Sequence, residues 1–254
     1  QQGRDPAELP IMIEAMRIWK SLQVECGEDL GFTQSGVLYL ANSAKDMAGF
    51  ENWLTFAKTH QLDTRLLSGS QVDTMLPGSQ SQWPGGLWTA SDARAEPWVA
   101  VPALARTATR MGATVIEDCA VRTLDLQDRK IAGVITERGR IACEQVVMAG
   151  GAWSSLFLRR HGIEIPQLSV RATVTQTAAM AQVFDGCAVD NKFAFRRRQE
   201  GGYTMAVGGF HEFFLRPDAF RRFAKFIPQV IKDPFGTKYL PAAPRHYPDA
   251  WSTE

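Results

Sequence analysis

The run Gln145-Val-Val-Met-Ala-Gly-Gly-Ala-Trp-Ser154 is the one from which the rest of the chain is best read. Val146, Val147 and Met148 form a short apolar stretch, as a buried parallel strand with no polar face requires. Gly150 and Gly151 follow, and without a Cβ they permit a tight turn and close approach of the backbone. From Trp153 to Arg160 the pattern is helical, ending at His161-Gly162. Strand, glycine turn and helix in this order are the usual setting for a nucleotide phosphate at a helix N-terminus. Many α/β proteins have such a turn and bind nothing at it, so its neighbours carry the argument.

Upstream, Glu96-Pro97 opens a helix to about Met111, with Gly112 as its C′ residue. Pro102 marks either a later start or a kink. A strand is expected over Ala113 to Glu117. Three short strands then follow, Val121 to Leu126, Ile131 to Thr136 and Arg140 to Cys143, with turns at 127–130 and 137–139. An antiparallel meander in place of a helical crossover is unusual in plain α/β sheets, and it is the most informative piece of architecture in the chain.

Further toward the N-terminus, Asp5-Pro6-Ala7-Glu8 supplies an N-cap carboxylate, a proline and a first-turn glutamate. Leu9, Met12, Ile13, Met16 and Trp19 then recur at helical spacing up to about Gly27. A strand is expected from Gly36 to Ala41, a helix capped by Ser43, a short strand from Thr64 to Leu67 and a short helix from Ser70 to Leu76. Gln80 to Ala95 reads as a turn-rich loop. Beyond Pro166 the texture becomes antiparallel, with strands at Leu168 to Gln176, Phe193 to Phe195 and Tyr203 to Val207. A helix from Asp218 to Ile227 and a proline-rich tail from Pro241 to Pro248 follow.

Composition narrows the function classes. The chain has 254 residues, 45% apolar and 22% charged, with a formal net charge of +1. That balance is ordinary for a globular protein and argues against nucleic acid as the main partner. Cys26, Cys119, Cys143 and Cys187 have no CxxC pair, so neither a zinc site nor a disulfide framework is indicated. Reduced thiols of a cytoplasmic protein are the expectation, with attachment to the inner membrane surface left open. No apolar run approaches the roughly 20 residues of a membrane span. His60, His161, His211 and His246 lack metal-like spacing, and His161 beside Arg159 and Arg160 suits a macrodipole role.

In order and spacing, several stretches resemble the FAD-dependent oxidoreductases of the D-amino acid oxidase type, a group that includes glycine oxidase, sarcosine oxidase and D-amino acid dehydrogenase. The stretches are residues 1–6, Glu96-Pro97 through Gly112-Ala113 and the meander, Val146 to Ser154, Val170-Arg171, and Arg196 to Tyr203 leading into Val207-Gly208-Gly209. The resemblance covers most of the chain up to about Phe214. It implies a mixed α/β and α+β fold: a glutathione-reductase-like FAD domain with a β-meander, and a substrate domain built on an antiparallel sheet. The expected division is 1–30 and 78–167 for the FAD domain and 31–77 and 168–254 for the substrate domain. Nothing like the family's N-terminal G-x-G-x-x-G turn precedes Gln1, and its C-terminal glycine-rich segment does not follow Glu254. The expectation is an internal piece of a longer enzyme that does not retain FAD by itself.

The same resemblance implies roles for individual residues, and each has a plainer reading beside it. Val121 stands where the family holds the adenine edge through backbone groups, and it is equally a strand valine. Gly150 and Gly151 fit a second FAD contact or an ordinary turn. Trp153 packs on the cofactor or staples the helix, and Ser154 is an N-cap or a ligand contact. Arg196 and Arg198 face one way in an extended strand and Arg197 the other. Arg196, Arg198 and Arg171 are candidates to grip a substrate carboxylate, or they are structural arginines. Phe193 and Tyr203 line the pocket or sit in the sheet.

The implied cofactor is FAD, and the implied reaction is oxidation of the C–N bond of a small amine or amino acid. Three other readings stand against it: a 2-hydroxy-acid oxidase or dehydrogenase on the same scaffold, a non-catalytic subunit or interaction module, and a nucleic-acid binder that the charge disfavours. Homo- or hetero-oligomerisation stays open.

Overall fold

A computed structural model describes residues 5–207, 211–232, 237–245, 247, 248 and 250. In chain order its elements are α1 (Leu9–Cys26), β1 (Val37–Leu40), α2 (Ala44–Thr59), β2 (Thr64–Ser68), α3 (Gly69–Met75), β3 (Gly85–Thr89) and α4 (Pro97–Arg110). Then come β4 (Val121–Gln127), β5 (Lys130–Thr136), β6 (Gly139–Ala142), α5 (Ser154–Arg159), β7 (Val174–Gln176), β8 (Cys187–Val189), β9 (Phe193–Arg197) and β10 (Tyr203–Val207). The last are β11 (His211–Phe214), α6 (Pro217–Lys232) and β12 (Thr237–Leu240). The chain forms two compact units, Gln1–Thr114 with Thr173–Gly209, and Val115–Ala172 with Phe210–Glu254.

Local chemistry sets most helix starts in the first unit. The Asp5 carboxylate accepts the Ala7 N–H at 2.9 Å over a 3-10 turn, Pro6–Glu8, that leads into α1. Gly27 ends α1 at φ 61°, a left-handed conformation that favours glycine. The Ser43 hydroxyl accepts the Asp46 N–H at the head of α2. Ser68 and Gln71 form a complete capping box on α3.

The first unit is built on a mixed sheet of order β2-β3-β1-β8-β9-β10-β7, antiparallel throughout except for the β1–β8 pair. Register decides its two faces, because side chains alternate along each strand. Leu38, Trp88, Ala188, Phe195 and Met205 stand opposite one another across the strands and share one face. There Leu38, Leu40 and Leu67 pack with Val72 and Leu76 from α3 and its end, and with Phe184. Tyr39 lies on the other face and meets Phe50 of α2 edge-on at 6.5 Å.

β3 corrects the expected loop over 80–95. Its two glycines read as turn residues, but they sit in the sheet because nothing larger fits. A Cβ on Gly85 would stand 2.4 Å from the Leu67 carbonyl oxygen and 2.8 Å from the Met47 sulfur; one on Gly86 would stand 2.8 Å from the Tyr39 carbonyl oxygen. Gly36, at φ 76°, is tighter still, since a Cβ would fall 2.0 Å from the Trp88 ring. Gly36→Ala combines left-handed strain with a clash. It is expected to lower unfolding free energy by about 2 kcal/mol or more in urea denaturation.

α1 and α4 meet through Cys26, Leu30, Ala100 and Ala103, with Trp19 stacked on Phe32 at 5.8 Å. At the rim Arg106 and Arg110 clasp Glu28 at 2.5 and 2.6 Å, and Arg110 also donates to the Cys26 carbonyl at 2.7 Å. Hydrogen bonds from the two guanidinium groups hold the Glu28 carboxyl down at about 2. A carboxyl depressed in the folded state stabilises above its unfolded value, roughly 4.3, and loses that contribution as pH falls through the folded value. Thermal melts between those two points should therefore show a progressive loss of stability that Glu28→Gln removes.

In the second unit the meander forms as expected, in the order β4-β5-β6. Two expected strands do not form: residues 113–117 and 145–150 carry no strand. Val147 is 90% exposed and Val115 51%, so these runs are apolar without being buried. A strand exists through the ladder it joins, and among the described residues no strand lies beside either run; apolar character alone could not reveal this. The antiparallel stretch expected over 168–176 shortens to β7, and the last helix is longer than expected, running through Pro228 to Lys232. Among the described residues, no helix is long and apolar enough to cross a membrane.

Candidate functional site

Within the second unit, Gly150 leads into a 3-10 turn, Gly151–Trp153, which passes directly into α5. Gly151 holds φ 55° in open space, so its conformation, not crowding, calls for glycine. The Trp153 N–H donates to the Gly150 carbonyl at 3.0 Å. The amides of Gly151 and Ala152 begin the turn and so have no partner inside it. Trp153 is about half exposed, and Val121 at the head of β4 is similarly open. Ser154 is buried and makes no cap bond, which corrects its reading as an N-cap.

Two residues that sequence reasoning did not assign to this region hold it together. Gln167 donates from Nε2 to the Gly151 carbonyl at 2.9 Å and accepts the Ser155 N–H on Oε1 at 3.2 Å. His161 reaches β4 rather than only ending its helix: Nε2 accepts the Leu124 N–H at 3.3 Å and meets the Thr123 hydroxyl at 3.3 Å. His161 thereby joins the strand that begins at Val121 to the helix that begins at the glycine turn. Below α5, Arg159 pairs with the buried Asp218 at 2.5 Å. Free amides at a glycine-led helix start, an open strand end and an exposed indole fit the phosphate, base-edge and stacking needs of a dinucleotide.

The first unit contains the three consecutive arginines; Arg196 and Arg197 alternate as expected, and Arg198 lies past the end of β9. Arg196 lies on the Cys187 side of the sheet. Its Nη1 bonds the buried Glu96 Oε1 at 3.1 Å, where Arg94 Nη1 also binds at 2.9 Å and the Gln199 N–H at 3.3 Å. Arg198 pairs with Glu200. Arg171, in the other unit, pairs with Glu212 at 2.5 Å and lies over the Phe214 ring. Each of these three candidates already has a carboxylate.

Arg197 points the other way, onto the face with Phe195 and Tyr203. Its guanidinium stands 5.7 Å over the Tyr203 ring and donates to the phenol oxygen at 3.3 Å. The nearest acid, Asp185, is exposed and 3.9 Å away. Among the described residues, Nη2 has no hydrogen-bond partner. On this face a cavity of about 390 Å³ opens, walled by Trp83, Met180, Phe193, Phe195, Tyr203 and Met205 among others. Phe193 and Tyr203, expected to line a pocket or to sit in the sheet, belong to β9 and β10 and also border this cavity.

Tyr203 has no proton to spare for chemistry. Its hydroxyl donates to the Phe184 carbonyl at 2.9 Å and accepts the Val183 and Phe184 amides at 2.8 and 3.0 Å. Burial pushes the phenol up, but the backbone hydrogen bonds and Arg197 outweigh it and leave it below its ordinary value. The hydroxyl therefore acts as a strut between the 183–184 loop and the β9–β10 hairpin. Burial likewise pushes the Cys187 thiol up despite Arg196 and Arg94, which disfavours a thiolate nucleophile there. His246, Gly208, Gly209 and Gln1 to Arg4 lie outside the described residues.

Human mitochondrial sarcosine dehydrogenase is 26% identical over 197 residues, covering 75% of this chain and 22% of its own. Sarcosine oxidase subunit beta from Arthrobacter sp is 29% identical over 159 residues, 60% of this chain and 39% of its own. The chain thus spans about a fifth to two fifths of the length of these relatives. The structure of L-amino acid deaminase from Proteus myxofaciens in complex with anthranilate superposes with a TM-score of 0.85 at 24% identity, over 93% of this chain and 54% of that one. That likeness shows the mixed α/β fold. The family model described as DAO, FAD dependent oxidoreductase, matches residues 1–251, and the chain belongs to that family.

Proposed function

We propose that the complete protein oxidises the C–N bond of a small amino acid or carboxylate-bearing amine to an imine, which water then hydrolyses. The chemistry that a bound FAD supplies is acceptance of a hydride from the carbon next to nitrogen. Residues 1–30 and 78–167 are assigned to the flavin side and 31–77 and 168–254 to the substrate side, a functional division that does not follow the two compact units. Val121 offers backbone groups to the base edge, the amides at Gly150 and Gly151 hold a phosphate oxygen, and Trp153 packs on the cofactor.

One observation carries the substrate reading. Arg197 shares a sheet face with the wall residues Phe195 and Tyr203, has an unengaged Nη2 and meets the exposed Asp185 only at 3.9 Å, whereas Arg196, Arg198 and Arg171 are each paired more closely to a carboxylate. We therefore assign the carboxylate grip to Arg197, which stands between Arg196 and Arg198, the two arginines that the resemblance favoured. A guanidinium held over an aromatic face loses little freedom on binding and presents a flat fork to a carboxylate. The apolar walls exclude water from the reacting carbon, and the Tyr203 strut keeps the guanidinium in place.

The test is product analysis with the complete, FAD-loaded protein. An amino-acid substrate should yield the oxo acid and ammonia in equal amounts, matched by the electron acceptor reduced. An acceptor reduced with no nitrogen released would refute the C–N assignment.

A further inference from the structure

We infer that the cavity beside Arg197 selects substrates with a bulky apolar side chain or N-substituent over glycine-sized ones. This rests on the substrate site proposed above and names the class of molecule that fills it.

About 390 Å³ falls within the usual size range of ligand pockets and is far more than a glycine or acetate skeleton occupies. Trp83, Met180, Val183, Phe193, Phe195 and Met205 give this space walls of hydrocarbon, ring and thioether. Phe195 is fixed edge-on to Phe184 and Tyr203 at 6.3 and 5.9 Å, so that wall is rigid. Met180 and Met205 are unbranched and can adapt to an irregular ligand. Ser79, Thr177 and Tyr203 are the polar side chains on the lining, and Arg197, outside the lining, stands over the Tyr203 ring and donates to its phenol oxygen. A molecule with a carboxylate at one end and an apolar body at the other matches both. A small polar amine would leave the walls facing water or empty space, and each buried CH₂ it lacks forgoes roughly 0.8 kcal/mol.

The experiment titrates the chain as it stands, without flavin, using 3-phenylpropanoate and acetate as probes in a calorimeter. Phenylpropanoate should bind at least tenfold more tightly than acetate. Met205→Trp, which fills the cavity, should reduce that preference to less than threefold, with circular dichroism and melting temperature verifying the fold. Equal affinities for the two probes, no binding of either, or a preference unchanged in Met205→Trp would overturn the inference.

A parallel arm separates it from the reaction proposed above. In the FAD-loaded complete protein, phenylalanine should reduce the flavin at least tenfold faster than glycine. Reduction by glycine and sarcosine alone overturns the size preference and leaves C–N oxidation standing. If no amine reduces the flavin while phenylpropanoate still binds, C–N oxidation fails and the cavity's preference stands.

Discussion

Replacing Arg197 with glutamine is expected to lower kcat/KM for a carboxylate-bearing substrate by about two orders of magnitude. Hydrogen bonds to charged groups contribute about 1.5–3 kcal/mol each, and losing that much in the transition state is roughly a 10- to 150-fold effect. Because the carboxylate is held equally before and during hydride transfer, most of the loss should fall on KM. An amine without a carboxylate should be almost unaffected, and Arg197→Lys should recover only part, since an ammonium cannot make the forked contact. Steady-state kinetics on a matched pair of substrates checks this. If Arg196→Gln produced the selective KM defect and Arg197→Gln did not, the anchor would have been assigned to the wrong face of the sheet.

The second large effect is on stability. Glu96 is 2% exposed, and one of its oxygens accepts from Arg94, Arg196 and the Gln199 amide. Its backbone precedes α4, and its side chain packs over Gly31, where an added Cβ would lie 2.6 Å from the Glu96 Cβ. Glu96→Ala leaves a nearly buried Arg94 and a partly buried Arg196 without their common acid. Breaking a buried pair from one side typically costs about 3–5 kcal/mol, more than the pair itself is worth. Urea denaturation should therefore place Glu96→Ala about that far below the natural protein, with Glu96→Gln between the two because it keeps an oxygen acceptor. A loss under about 1 kcal/mol would show that water takes over the guanidinium groups and that the cluster is not a structural hub.

These two residues also show what a sequence can and cannot disclose. Helix starts at Asp5, Ser43 and Ser68 were legible or nearly so, because a cap is written within four residues. The alternation of Arg196 and Arg197 was legible for the same reason, since a strand has period two, although Arg198 lies past the strand's end. Which face holds the cavity was not legible. It depends on the β1–β8 parallel pairing, on α3 packing over Leu38 and on the 183–184 loop, all distant in the chain. Glu96 read as the residue before a helix proline, and nothing local pointed to Arg196 one hundred positions away. Gln167 and His161 act across gaps of 16 and 37 residues, and neither belongs to a short motif. β3 was hidden because glycine signals a turn locally and close packing only in three dimensions. The meander and the glycine turn were legible, and they are what made the family recognisable; Val146 to Ala149 was misread because an apolar run does not state whether a partner strand lies beside it.

In the proposed reaction a carboxylate-bearing amine gives up a hydride from its C–N carbon, with Arg197 holding the carboxylate. The most direct measurement is anaerobic mixing of the FAD-loaded complete protein with an amino acid and, separately, with the 2-hydroxy acid of the same skeleton, following the flavin absorbance. Rapid bleaching by the amino acid, a far slower change with the hydroxy acid, and loss of the fast phase in Arg197→Gln at subsaturating substrate are expected. Bleaching by the hydroxy acid alone, or a fast phase indifferent to Arg197, would contradict this assignment.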